Sequence, residues 1–97
     1  MVIEPTPGRI VWFWESKLMR DSGFEQPQAA IVTYVYGSRT VNLAVFDRSG
    51  APTARLEVVL VQDGDDIPPY GAFAEWMPYQ IGQAKKHAAS AAEQEGK

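Results

Sequence analysis

Several runs of this chain place apolar residues at every second position, and a period of two residues predicts strands rather than helices. Residues 10–14 are apolar at every position, so this run is apolar on both faces, and its β-branched and aromatic residues also predict a strand. β-branched and aromatic residues are frequent in the alternating runs, as they are in strands generally. The pattern predicts four strands and a short closing one, at residues 9–14, 28–36, 40–46, 53–61 and 72–77.

The same alternation predicts which side chains share a face, because successive strand residues point to opposite sides. In the first strand, Trp12 and Trp14 lie on one side. Two further sets are expected to share a face: Val32 with Tyr34 and Tyr36 in the second strand, and Leu56 with Val58 and Leu60 in the fourth.

Gly, Pro, Asn and Asp mark the breaks between the strands. Residues 1–8 form an irregular leader, residues 15–27 a loop with room for one helical turn, and residues 62–71 a long loop. Gly37-Ser38 predicts a tight turn, and Asp47-Arg-Ser-Gly50 predicts a hairpin, since Gly readily takes a positive φ. Short strands joined by such turns predict an antiparallel meander.

A flat sheet of this size would leave one apolar face in water and two strand edges unpaired. Curling into a small barrel removes both problems. We therefore predict a mainly β fold, a small antiparallel meander curled into an SH3-like or OB-like barrel. The barrel forms a single domain over residues 1–80.

The end of the chain is rich in Ala, which favours helix. Ile81 is the one large apolar residue there, so little holds such a helix against the barrel. We predict a helical or disordered tail over residues 81–97. It should fray beyond about residue 86.

Charge and composition narrow the classes of function. The net charge is −3, and residues 1–80 hold six Lys and Arg against ten Asp and Glu. An acidic body argues against non-specific binding of nucleic acid. Cysteine is absent, which excludes disulfides, thiolate zinc sites and Cys nucleophiles. The sequence shows neither a membrane span nor a signal peptide, so we expect a protein of the cytoplasm.

Catalytic and metal-binding motifs do not emerge from the sequence. The acidic loop Asp63-Gly-Asp-Asp66 departs from the Ca²⁺-binding EF-hand pattern, because Ile67 stands at a ligand position. His87 is the single histidine and lies in the weakly held tail. We therefore predict no catalytic residues, no metal, no cofactor and no enzymatic activity.

The aromatic residues are the main candidates for function. Three Trp, four Tyr and four Phe are more than a domain this small can bury in full. Exposed ones could stack on a flat ligand or anchor a protein partner, with Arg side chains supplying phosphate-facing cations. Asn42 would need a hydrogen-bond partner, either backbone or ligand. The candidate ligand-binding residues are Arg9, Trp12, Trp14, Tyr34, Tyr36, Arg39, Asn42, Trp76 and Tyr79.

Four segments together resemble a group of small tailed-phage and prophage proteins for which no activity is established. They are Gly8-Arg-Ile-Val11, Ala29-Ala-Ile-Val32 with Val35, Val41-Asn-Leu-Ala-Val-Phe-Asp47, and Glu75-Trp-Met-Pro-Tyr79. The resemblance covers about residues 8–80. It implies a phage origin, and hence the bacterial host cytoplasm as the place of action. The group often has His-Tyr where this chain has Trp12-Phe13, so no histidine role is carried over.

Our leading hypothesis is a phage-encoded, non-enzymatic binding protein that counters a host defence by sequestering a nucleotide-like signalling molecule. The alternative is a virion decoration or assembly protein that uses the aromatics as interface anchors on a host or virion partner. A third hypothesis, single-strand binding on an OB-like face, conflicts with the acidic body. Exposed strand edges and aromatics favour a homo-oligomer.

Overall fold

A computed structural model of the chain describes the backbone of residues 1–95 and the side-chain surroundings of residues 1–88. Five strands form a closed barrel in the order β1-β2-β3-β4-β5, and two helices accompany them. The predicted small β-barrel is confirmed. The elements are β1 Ile10–Trp14, α1 Lys17–Asp21, β2 Gln28–Gly37, β3 Thr40–Phe46, β4 Pro52–Val61, β5 Phe73–Glu75 and α2 Pro78–Glu95.

The sheet is mostly antiparallel, but β4 and β5 run parallel, with Leu60 beside Ala74 and Val61 beside Glu75. A purely antiparallel meander is therefore wrong at its last step. The reason is topological: a closed barrel with an odd number of strands must contain at least one parallel pair. The long loop after β4 returns the chain, so that β5 pairs antiparallel with β1 and closes the barrel.

Apolar side chains from every strand fill the barrel. Phe13, Leu43 and Leu60 are among the largest fully buried side chains. Trp76 completes the core directly after β5 and is 2% exposed. Burial of aromatic and branched side chains is the main source of stability available to a chain without disulfides.

A buried glutamine holds one end of the barrel together. The side-chain amide of Gln62 donates to the backbone oxygens of Ser38 (2.7 Å) and Ile3 (3.0 Å). Its oxygen accepts the indole N–H of Trp76 (3.1 Å) and the backbone N–H of Ile3 (3.0 Å). One side chain therefore ties the leader, the β2–β3 turn and the end of β5 to β4, with all its polar atoms bonded.

An ion pair lies at the other end of the barrel. Glu15, 8% exposed, accepts a hydrogen bond from the Arg55 guanidinium at 2.8 Å. The guanidinium also lies over the Phe13 ring, 5.3 Å from its centroid. The N-terminal half of β4 does not pair with β5. Arg55 thus spans from β4 to β1 where the sheet itself is open.

Helix α2 begins at Pro78, three residues before the predicted tail boundary, and Pro is well suited to a first helical turn. Ile81 packs against the core, and the Gln80 side chain donates to the Ile10 backbone oxygen at 2.8 Å. The prediction that the tail frays beyond about residue 86 is wrong for the described backbone, which is helical to Glu95, and residues 96 and 97 lie outside the described residues. No helix in the described part of the chain is long and apolar enough to cross a membrane.

Candidate binding surface

The surface with the strongest claim to function is built around Asn42, on the outer face of β3. Its side chain is fixed on both sides. The amide nitrogen donates to the Tyr36 hydroxyl at 3.3 Å, and the amide oxygen accepts the backbone N–H of Glu57 at 2.8 Å. The hydrogen-bond partners expected for Asn42 are therefore groups of this chain, the Tyr36 hydroxyl and the Glu57 backbone.

Irregular pairing on both neighbouring strands brings side chains to this surface. The register shifts in β2 between Val32 and Tyr34, and again where β4 passes Asn42, at Glu57. Glu57 has φ 52°, which makes it the single non-glycine residue with positive φ among the described residues. A bulge adds one residue to a strand and reverses the side-chain alternation beyond it.

These shifts correct two predicted faces. Val32 is buried whereas Tyr34 is 56% exposed, so the two do not share a face. Leu56 is 69% exposed whereas Val58 and Leu60 are buried. Strict alternation fails at both places because it assumes an unbroken register.

The result is a tyrosine patch, formed by Tyr34, Tyr36, Asn42 and Val59. The two tyrosine rings meet edge to face with centroids 5.0 Å apart. Tyr36 is 54% exposed and Val59 47%, and Leu56 extends the apolar surface to the β4 edge. Large apolar side chains that stay exposed together on rigid strands are typical of binding surfaces.

The two tryptophans of β1 lie elsewhere on the outer face. Trp14 stacks on Phe73 with centroids 6.3 Å apart, and its indole N–H donates to Glu75 at 2.8 Å. Arg20 of α1 covers Phe73 from outside, 5.7 Å from the ring centroid. Trp12 is half-buried and faces Glu75 across the β1–β5 pair. This cluster seats α1 against the barrel, which is a structural use of Trp14.

The remaining candidates do not join the tyrosine patch. Arg39 forms a two-pronged ion pair with Asp65, at 2.8 and 3.1 Å, beside the Gln62 end of the barrel. Trp76 is buried in the core, and Tyr79 is exposed at the start of α2. Arg9 is exposed and immediately precedes β1. The structure thus brings Tyr34, Tyr36 and Asn42 together and leaves the other six predicted residues apart.

The Arg39–Asp65 pair carries clear electrostatic signatures. Hydrogen bonds from Arg39, and then from the backbone N–H of Gln62, hold the pKa of Asp65 below its usual value. The same carboxylate raises the pKa of Arg39. Asp63 of the same acidic loop pairs with Lys85 of α2 at 3.0 Å. Two acidic side chains of the Asp63–Asp66 loop are therefore paired with cationic ones.

A shallow groove of about 530 Å³, between the α1–β2 loop and the β3–β4 turn, was not predicted. Arg48 lies over the Phe24 ring there, 5.9 Å from its centroid. The Gln28 side-chain oxygen is buried and has no hydrogen-bond donor among the described residues. No local sequence signal marks the groove, because the two segments that form it are far apart in the chain.

Asp47 at the groove is held by its own turn. Its carboxylate accepts the Ser49 hydroxyl (2.6 Å) and the backbone N–H groups of Ser49 (2.8 Å) and Ala51 (3.0 Å). These bonds, the Ser49 hydroxyl first, lower the pKa of Asp47. The carboxylate is turned into the hairpin, which leaves Arg48 to present the groove's positive charge.

Within the described residues, no three His, Asp or Glu side chains gather closely enough to hold a metal ion. No protein-family model, curated protein or solved structure matches the chain. The resemblance to tailed-phage proteins accordingly stays a prediction.

Proposed function

We propose that the chain is a non-enzymatic binding protein that anchors a protein partner on the tyrosine patch. The observation that carries the proposal is the Tyr34–Tyr36 pair: two touching aromatic rings, each more than half exposed, on adjacent outward positions of one strand. Tyrosine at a protein interface supplies a large apolar ring together with a hydroxyl that can hydrogen-bond.

The shape of the patch supports a protein rather than a small molecule as its ligand. The patch lies on the outer, convex side of a barrel, whereas small-molecule sites are concave and bury most of the ligand. The Asn42 hydrogen bonds fix Tyr36 before binding, so little side-chain freedom is lost when a partner covers it. In the phage setting that the resemblance implies, the partner is a virion or host protein in the host cytoplasm.

Affinity capture with matched variants tests this proposal. Tagged wild-type protein is compared with the Tyr34→Ala/Tyr36→Ala double variant, on purified phage particles and on host lysate. The control is Tyr70→Ala/Tyr79→Ala, which removes two tyrosines outside the patch that are even more exposed than Tyr34 and Tyr36. We expect one protein to be retained by the wild type and the control and lost by the patch variant. Equal retention by all three proteins would contradict the proposal.

A nucleotide-like ligand in the groove is the second candidate function. Three observations favour it: a concave space, the Phe24 ring beneath the Arg48 guanidinium, and the unpartnered oxygen of Gln28. A base could stack on Phe24 if Arg48 turns away from the ring to meet a phosphate, and the buried Gln28 oxygen could accept the base's amino group once that side chain turns outward. Sequestering a host signal of this kind would counter a defence.

Calorimetry with AMP, cyclic nucleotides and ADP-ribose separates the two functions. The groove proposal expects binding heat that is lost in Phe24→Ala and in Arg48→Ala and kept in Tyr34→Ala/Tyr36→Ala. The matched control is Arg9→Ala, which removes an exposed Arg distant from the groove. Absence of heat with every nucleotide, on folded protein, would rule the groove out as a nucleotide site.

A further inference from the structure

The N-terminal half of β4 is an unpaired strand edge. β4 pairs with β3 from Pro52 onward, but it meets β5 only at Leu60 and Val61. All six residues from Pro52 to Glu57 are exposed. In a barrel that is otherwise closed, this segment offers backbone hydrogen-bonding groups to another strand.

The hydrogen-bonding pattern of the sheet shows which backbone N–H and C=O groups of β4 have no partner in β3. The backbone N–H of Val32 donates to the Arg9 oxygen on the β1 side of β2. Successive residues of a strand direct their backbone groups to opposite neighbours, so the groups of Ile31 face β3. At the hairpin, Asp47 N–H donates to the Ala51 oxygen. Hydrogen-bonded and non-hydrogen-bonded residue pairs alternate along an antiparallel ladder. Counted from Ile31 and from Asp47, this alternation directs the backbone N–H and C=O groups of Thr53 and Arg55 towards β3. The backbone groups of Ala54 and Leu56 therefore face the open edge.

We infer that this edge pairs antiparallel with the same edge of a second copy of the chain, with Ala54 opposite Ala54 across a two-fold axis. Such an interface is self-complementary, as two-fold symmetry requires. Two neighbouring two-fold registers, centred on Arg55 and on Leu56, are less favourable. One places Arg55 directly against its own copy, and like charges opposite each other destabilise a sheet. The other requires Glu57 to take part in the strand pairing, and the left-handed backbone of Glu57 cannot continue a strand.

The outward side chains fit the Ala54 register. Paired positions Ile10, Ile31, Ala44 and Ala54 form one row across β1 to β4. With Ala54 at the axis, this apolar row continues without interruption into the second copy. Leu56, which is 69% exposed, comes to lie beside Pro52 of the second copy. This contact covers part of the Leu56 side chain.

The edge is also limited in length. Pro52 lacks a backbone N–H, and the Glu57 bulge ends the extended segment on the other side. The pairing therefore consists of about four intermolecular backbone hydrogen bonds. Two-fold pairing uses the edge on both copies, so the assembly closes at a dimer. The inference goes beyond the proposed function and is independent of it. The dimer would present both tyrosine patches on one side of a continuous sheet.

Sedimentation velocity up to millimolar concentration tests the inference on the full chain. Ala54→Pro removes an N–H that faces the open edge, so it leaves the pairing of β4 with β3 intact. We expect the wild type to dimerise and Ala54→Pro to weaken the dimer at least about tenfold. Tyr36→Ala should dimerise as the wild type does. A monomeric wild type, or a dimer unaffected by Ala54→Pro, would overturn the inference.

A cysteine pair tests the register even if Ala54→Pro does not fold. The chain has no cysteine, so Ala54→Cys introduces a single one. Directly opposed positions have Cα atoms about 5.5 Å apart, within disulfide range. The control Ala44→Cys sits one strand further in, so the two copies of residue 44 are about 14 Å apart. We expect rapid disulfide-linked dimer from Ala54→Cys alone, and equal rates for both variants would overturn the inference.

Discussion

The side-chain oxygen of Asn42 accepts the backbone N–H of Glu57 over 2.8 Å, and Glu57 holds a left-handed backbone with φ 52°. A left-handed conformation costs about 1–2 kcal/mol for a residue with a side chain. The hydrogen bond offsets part of this cost and keeps the bulge in place. The bulge in turn separates the outward Leu56 from the inward Val58.

Glu57→Gly should therefore stabilise the protein, by about 0.5–1 kcal/mol, because Gly adopts a positive φ without strain. The control Ala54→Gly lies in regular extended backbone, where the same change should destabilise by a similar amount. Urea unfolding, followed by tryptophan fluorescence, measures both free energies of unfolding. A destabilised Glu57→Gly variant would show that the positive φ is not a source of strain.

Gln62→Leu should lower the free energy of unfolding by about 2–4 kcal/mol, because it leaves several buried donors and acceptors without partners. The groups affected are the Trp76 indole N–H, both backbone groups of Ile3 and the Ser38 oxygen. Gln83→Leu, at an exposed position of α2, is the matched control and should change stability little. If both variants unfold at the same urea concentration, the Gln62 network does not stabilise the barrel.

Arg55→Ala should destabilise more than Glu15→Gln, because the first leaves a buried carboxylate without its cation. Arg55 is partly exposed, so the expected loss is only about 1–2 kcal/mol. The double variant Glu15→Gln/Arg55→Ala should recover part of it. The double-variant cycle, measured by thermal unfolding, should give a coupling energy between the two residues. Strict additivity of the two changes would contradict the pairing.

Asp47 should give the β3–β4 hairpin a stability that depends on pH. Its pKa is lowered in the folded state, so its contribution is complete above the usual Asp pKa of about 3.9. The contribution is lost as the pH falls through the lower, folded pKa. Asp47→Asn should therefore be less stable than the wild type at neutral pH, with a difference that shrinks on acidification. Urea unfolding between neutral and acidic pH measures this, and a constant difference would argue against the carboxylate's role.

The extent to which the sequence predicts this structure depends on the register. Runs of β-branched and aromatic residues that end at clear turn signals predict every strand. Side-chain direction failed at Tyr34 and Leu56, where bulges opposite Asn42 reverse it. Nothing local to either strand marks those bulges. They become visible only when the strands are paired.

The candidate site was predictable in part for the same reason. Tyr34, Tyr36 and Asn42 were identified as candidates from their residue types, and the pairing of β2 with β3 brings them together. Gln62 was not identified, because a lone glutamine after a strand resembles any loop residue. Its four side-chain bonds join segments up to 59 residues apart in the chain. Contacts between residues so far apart in the chain cannot be predicted from the spacing of residues in the sequence.

Site-specific photo-crosslinking tests the central claim, that the tyrosine patch binds a protein partner, most directly. Tyr36 is replaced by p-benzoylphenylalanine, which keeps an aromatic ring at that position. The full chain is then irradiated inside the cells that produce it. Tyr70 carries the same probe in the control, since it is also exposed but lies outside the patch. If the tyrosine patch binds a partner, position 36 gives one cross-linked protein and position 70 gives none. No cross-link from position 36, or the same products from both positions, would contradict it.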